Sequence, residues 1–253
     1  MISLSLSTSL ILGGASEMVA KLAPKFPANH LDIGSGHGDL IELMRSQFEI
    51  SSSACDYTDS LMKLADVKVT VANLNNEGLP YADQSFDLVT CTEVIEHLEH
   101  YRYTLREMYR ILKPGGVLVL TTPNILNLKS RIRFLLFGFY NLFGPLHFQE
   151  SNLHSTGGHI NPVSVFFLTH SLVDAGFNEI DVSIDKVQGT SSAWLPLLYL
   201  PIKLFSLKIM ATEKNKFKTI DRFNEPFVRQ INSLDILLGR TIIVGCKKPK
   251  ISN

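Results

Sequence analysis

Short apolar, β-branched runs alternate along the chain with longer segments whose apolar positions recur every three to four residues. The first kind fits strands and the second amphipathic helices, so the alternation predicts a doubly wound, mostly parallel α/β sheet. A helix over Ala15–Leu22 precedes a first strand at His30–Ile33, and a turn at 34–38 opens a helix at Asp39–Ser46. Ser51–Asp56, Val67–Ala72, Phe86–Cys91 and Val117–Thr121 read as strands two to five, with helices at Ser60–Ala65 and Tyr101–Leu112 between them. The second of these helices should stop at Lys113-Pro-Gly-Gly116, where proline and glycine end helical pairing.

Beyond Pro123 the pattern changes. Residues 125–143 are apolar, with Lys129, Arg131 and Arg133 and no acid, and a His-, Ser- and Gly-rich loop runs from His147 to Asn161. A helix at Val163–Ala175, a strand at Phe177–Val187, an irregular stretch at 188–235 and a last strand at Arg240–Cys246 complete the pattern. One domain over 1–253 is expected, with 124–161 and 188–235 as insertions that form a lid or face a membrane.

Composition narrows the function classes. Lys plus Arg and Asp plus Glu both number 24, so no basic field favours nucleic acid. Charged residues make up only 19%, which leaves apolar surface for a partner or lipid. Cys55, Cys91 and Cys246 match no zinc spacing and read as buried thiols of a reducing cytoplasm. No uncharged apolar stretch approaches the roughly 20 residues that span a bilayer, so a spanning protein is not expected.

The strongest motif is Leu31-Asp-Ile-Gly-Ser-Gly-His-Gly38, directly after one strand and opening a helix. Glycines allow a sharp turn close to a ligand, and the helix start offers unpaired N–H groups. Asp56 follows Asp32 by 24 residues, near the spacing of a ribose-binding acid, although a solvated loop acid reads equally well. The third glycine comes one residue earlier than in a dinucleotide fingerprint, and Asp32 would repel a pyrophosphate while favouring an ammonium or sulfonium. This argues against a nicotinamide dehydrogenase and fits S-adenosylmethionine.

With Asp56, Leu79-Pro-Tyr-Ala-Asp-Gln-Ser-Phe-Asp-Leu-Val89, Thr92-Glu-Val-Ile-Glu-His97 and Leu112-Lys-Pro-Gly-Gly-Val-Leu118, the turn completes a set in one order. In these the chain resembles the class I S-adenosylmethionine-dependent methyltransferases, within the branch of ubiquinone-biosynthesis O-methyltransferases and related small-molecule enzymes. The resemblance implies strand order 3-2-1-4-5-7-6 with an antiparallel last strand. It places Asp32, Gly34, Gly36 and Gly38 along the methionine and ribose portion of the donor, Asp56 on the ribose hydroxyls and Tyr57 beside the adenine. Asn73 and Leu74 fall where an acid usually meets the adenine amino group, and the Asn73 amide oxygen can accept that bond. Thr92 should lie near the methionine end.

An oxygen acceptor must also lose a proton, and histidine titrates near neutrality. His97 is the first catalytic candidate, because the resemblance implies a Glu-His pair beside the transferred methyl; a position in the site is favoured over a chemical role, and a cap of the strand-four loop is the structural reading. His159, in Gly157-Gly-His-Ile-Asn-Pro162, is the second, while His147 and His154 share its loop. Glu93, Glu96 and His100 would share a face if their segment were helical, but a solvated face is the favoured reading and no metal centre is expected. The expected reaction is methyl transfer, chiefly to oxygen, on a small apolar or lipid-linked acceptor, with S-adenosylhomocysteine as product. N- or C-methylation, or a non-catalytic donor-binding or membrane-associated scaffold, are the alternatives. Residues 125–143 and 194–210 are read as a cap, a peripheral membrane contact or a homodimer interface of a cytoplasmic protein.

Overall fold

The computed structural model describes residues 8–22, 26–146 and 158–250. His147 and His154 lie outside the described residues. The elements in order are α1 (Ser9–Leu22), β1 (Ala28–Ile33), α2 (Asp39–Gln47), β2 (Ile50–Asp56), β3 (Val69–Val71), β4 (Phe86–Thr92), α3 (Tyr101–Ile111) and β5 (Leu112–Pro123). There follow α4 (Leu128–Phe137), α5 (Val165–Ala175), β6 (Asn178–Ile184), α6 (Gly189–Thr212), α7 (Glu225–Gln230), α8 (Leu234–Leu238) and β7 (Thr241–Lys247).

The strands form one sheet in the order β3-β2-β1-β4-β5-β7-β6, as expected. β7 runs antiparallel to both neighbours, and the other pairings are parallel. Central strands covered on both faces must be apolar along their whole length, and β1, β4 and β5 are almost entirely buried. α1 and α2 pack on one face through Leu12, Met18, Leu40 and Met44. On the other face Leu105 and Met108 of α3 meet Leu168 and Leu172 of α5. Between β1 and β4 the strand order reverses, and the crevice that opens at such a point beyond the strand ends is where open α/β sheets bind ligands.

Three expectations are corrected. Ser60–Ala65 is a turn, not a helix, because Thr58 Oγ1 takes the Ser60 N–H and competes with helical pairing. Lys113-Pro-Gly-Gly116 does not separate helix from strand: β5 starts at Leu112 and absorbs the segment in a bulge against β4, with Gly115 at φ +81°. Residues 188–235 are not irregular, since they contain α6, α7 and α8. α6 runs unbroken through Pro196 and Pro201. The helix from Gly189 to Phe217 is also long and apolar enough to cross a membrane by length and composition, although Lys203 and Lys208 interrupt its apolar run.

α4 is set by its ends. The Asn127 side chain accepts from Ser130 N–H, and Gly138 at φ +79° closes the last turn. Beyond its first turn the helix leaves the core: Leu135 is 81% and Leu136 78% exposed. α6 lies against α4 and turns a second apolar row outward, including Leu197, Leu204 and Phe205.

Candidate active site

β1 delivers the chain into a turn whose three glycines all have positive φ: Gly34 at 72°, Gly36 at 48° and Gly38 at 87°. Such angles suit glycine because it has no Cβ to collide with the backbone. Two of these positions also face protein rather than open space. A Cβ on Gly34 would lie 2.1 Å from Val94 Cγ2, and one on Gly38 within 3 Å of Met62 and Leu64 side chains. The turn is therefore pressed between β4's exit and the β2–β3 loop.

Asp56 fastens the turn to β2. Its Oδ2 accepts from Gly36 N–H at 2.8 Å and its Oδ1 from Tyr57 N–H at 2.7 Å. Each oxygen keeps a second lone pair, so the carboxylate can still accept from a ligand's hydroxyl pair. The solvated-acid reading does not hold, because Asp56 is buried.

Asp32 sits behind the turn on a chain of hydrogen bonds across three strands. Strand register sets Asp32 opposite Thr90 and His30 opposite Ser52. Thr90 donates its hydroxyl to Asp32 Oδ1 at 2.7 Å, His30 Nε2 stands 2.7 Å from the Thr90 oxygen, and His30 Nδ1 3.0 Å from Ser52 Oγ. Since Thr90's proton goes to Asp32, His30 donates from Nε2 and accepts from Ser52. Burial lifts the Asp32 carboxyl to about 7, with Thr90 opposing and the Asp56 charge adding to the rise. Burial pushes His30 down to about 3, with Arg45 adding to the effect.

One cavity of about 280 Å³ joins these residues to the second half of the site. Asp32, Gly34, Gly36, Asp56, Tyr57, Asn73, Leu74, Thr92, His97 and His159 all line it. Gly38 is not among its lining residues and acts through packing. The Asn73 oxygen accepts from Asn75 N–H at 3.1 Å, which holds its own loop and leaves a second lone pair for a ligand. Leu142 and Arg240 also line the cavity and carry no sequence signal of their own.

The segment after β4 is not a helix that aligns Glu93, Glu96 and His100. Glu93 has φ +56°, only Ile95–His97 form a helical turn, and His100 caps α3 at the surface. Glu96 instead turns inward, fully buried, where Thr122 donates to its Oε2 at 3.0 Å. Its backbone carbonyl accepts from Ile160 and Asn161 N–H groups and thereby staples the His159 loop to the end of β4. The His97 and His159 rings meet edge to face at 4.6 Å, and His97 Nδ1 lies 3.2 Å from the Gly158 carbonyl. Burial, then the neighbouring His97, lowers His159 to about 4. Burial raises Glu93 to about 7 against the Thr121 hydrogen bond, and lifts Glu96 well above the carboxylate range, with Glu93 adding to it. The sequence reading weighed Glu96 with Glu93 as part of a solvated helix face, whereas Glu96 is buried behind the cavity and Glu93 lines it.

A family model described as a methyltransferase domain matches residues 13–182. A demethylmenaquinone methyltransferase of Listeria monocytogenes serotype 4a is 36% identical over 110 residues, 38% of this chain and 46% of the relative. One from Listeria welshimeri is 30% identical over 169 residues, 60% of this chain and 71% of the relative. A ubiquinone/menaquinone biosynthesis C-methyltransferase of Geotalea daltonii is 29% identical, covering 46% of this chain and 55% of the relative. The chain spans about half the length of most curated relatives it matches. In fold it is similar to a SAM-dependent methyltransferase from Archaeoglobus fulgidus, with TM-score 0.57 and 18% identity over 94% of each chain.

Proposed function

The chain belongs to the S-adenosylmethionine-dependent methyltransferases, and we propose that it methylates a ring carbon of a quinone-type acceptor carried on a lipid-like molecule. The donor supplies a methyl group on a sulfonium, which departs without needing a proton, and S-adenosylhomocysteine is the product. The residues of the turn fit that donor: Asp56 offers two anchored acceptor oxygens for a vicinal diol, and Asp32 offers a carboxylate for a positive charge. Positioning supplies most of the rate in such an in-line displacement.

The observation that carries the reading is that one cavity is lined both by the glycine turn with its two aspartates and by the pair His97 and His159. Donor and acceptor chemistry share that space. The sequence alone favoured oxygen as the target, whereas relatives named for methylating demethylmenaquinone, or for C-methylation, support carbon. A quinol carbon becomes nucleophilic when the adjacent hydroxyl ionises, so the acceptor must shed a proton in either case. We place the acceptor hydroxyl beside His97 and His159, and His159, held near 4, is neutral at pH 7 and keeps a lone pair to offer. Turnover of a short-chain demethylated naphthoquinol, with the product read by NMR, tests this: an aryl-methyl signal is expected, and a methoxy signal would return the target to oxygen.

We place the acceptor's apolar tail in a bilayer touched by α4 and α6. Support comes from the exposed rows Leu135, Leu136, Phe137 and Leu197, Leu204, Phe205, an area of apolar surface that water disfavours. Apart from Arg131, residues 125–143 and 189–212 contain four cations and no acid, which suits anionic lipid and would set like charges against each other in a symmetric dimer. Arg131 takes no part in this surface. It turns inward to the Leu126 and Ile231 carbonyls, and burial lowers it to about 10. Arg133 bonds the Tyr140 carbonyl and stands 5.7 Å over Phe137, so the cation remains at the apolar edge.

A further inference from the structure

We propose that Glu96, His97 and His159 bind one divalent ion of the zinc or manganese class at the wall of the active-site cavity, which His97 and His159 line and Glu96 backs. Each residue offers one ligand atom, and the three atoms lie within 4.8 Å of one another. Bonds of about 2.1 Å set ligand atoms roughly 3–3.5 Å apart, so side-chain rotations on the order of 1 Å close the set around an ion.

Two atoms make a ligand the better account than a self-satisfied polar cluster. Glu96 is 0% exposed and its Oε1 has no hydrogen-bond partner, and the buried His159 Nδ1 has none either. Buried polar atoms are nearly always paired, and leaving two of them unmet near one another is costly. A cation satisfies both at once.

The surroundings hold the ligands as metal sites require. Thr122 fixes Glu96 through the other carboxylate oxygen, and the Gly158 carbonyl takes the His97 Nδ1 proton, which puts the lone pair on Nε2. Bonds from Ile160 and Asn161 to the Glu96 carbonyl keep the His159 loop against the Glu96 turn. Two imidazoles and one carboxylate select an ion that accepts nitrogen and oxygen together, and leave coordination positions for an oxygen from outside.

The catalytic meaning rests on the acceptor reading given above. An acceptor hydroxyl that enters the open position loses its proton to solvent as its oxygen bonds the ion. The neighbouring ring carbon then forms the new carbon–carbon bond while the donor's carbon–sulfur bond breaks, and that carbon's own hydrogen leaves as a proton to solvent while the oxygen regains one, which restores the aromatic quinol. The ion changes no oxidation state.

Binding is tested without substrate. Protein stripped with a chelator is titrated with Mn²⁺ by electron paramagnetic resonance and with Zn²⁺ by calorimetry, alongside Glu96→Gln and His159→Gln. One ion per chain is expected, with affinity at least about tenfold weaker in each variant. Circular dichroism and a cooperative urea transition certify the fold of each variant. Wild-type protein that binds neither ion, or folded variants that bind as tightly as wild type, would overturn the site. The wild-type titration decides the matter if a variant fails to fold. Failure of wild-type protein to bind S-adenosylhomocysteine would count against the methyltransferase reading, and the ion count is read independently of it.

Discussion

Thr90 donates its hydroxyl to Asp32 across β4 and β1 at 2.7 Å, and this bond steadies a fully buried carboxyl raised to about 7. A positively charged donor favours the ionised form. Donor affinity should therefore be full above pH 7 and fall by about tenfold per unit below it, as the carboxyl must first give up a proton. Calorimetry of S-adenosylmethionine between pH 5.5 and 8.5 checks this, and Asp32→Asn should bind weakly with a flat profile.

His30 and Asp32 act oppositely on folding. His30, lowered from 6.5 to about 3, removes stability as pH falls below 6.5, because the unfolded chain takes a proton that the folded one refuses. Asp32, raised from 3.8 to about 7, removes stability as pH rises from 3.8 to 7. Between about 4 and 6.5 the two slopes cancel. Asp32→Asn abolishes one of them, so its urea stability should drop clearly from pH 6.5 to 4.5 where the wild type's pair contributes no slope.

The glycine turn makes a sharper mutational claim. Gly34→Ala brings a Cβ to 2.1 Å from Val94 Cγ2 at φ +72° and should cost roughly 2–4 kcal/mol. Adding Val94→Ala should recover the clash and leave about 1–2 kcal/mol of backbone strain. Urea denaturation of the single and double variants reads the difference. Equal stability of the two would place the whole cost in the backbone.

Much of this was legible beforehand, for physical reasons. Leu31, Ile33, Leu88 and Val89 lie in apolar runs that suit a sheet covered on both faces, so the fold class was legible, whereas the strand order came from the family resemblance. The roles given to the glycine turn came from the resemblance, and the structure brings Asp32, Gly34, Gly36 and Asp56 to one cavity. α6 was not legible because Pro196 and Pro201 argue against a helix, and neighbouring α4 and α8 hold it together despite them. Glu96 was read on the wrong face because periodicity assumes regular backbone, and the positive φ of Glu93 turns the following residues to a face that no helical projection predicts.

The apolar rows predict their own outcome. Leu197→Asp with Leu204→Asp should abolish co-sedimentation with anionic vesicles while donor affinity stays unchanged, since neither residue lines the cavity. If wild type ignores vesicles and the pair instead converts a dimer into monomers in sedimentation velocity, these rows bind a second copy.

Asp56 carries the account's central claim. A crystal soaked with S-adenosylhomocysteine should show both ribose hydroxyls within hydrogen-bond distance of the Asp56 carboxylate, with the Gly36 N–H still on Oδ2. Asp56→Ala should weaken binding by at least about tenfold. A nucleoside found away from residues 34–38 and 56, or bound with full affinity by the Ala variant, would contradict it.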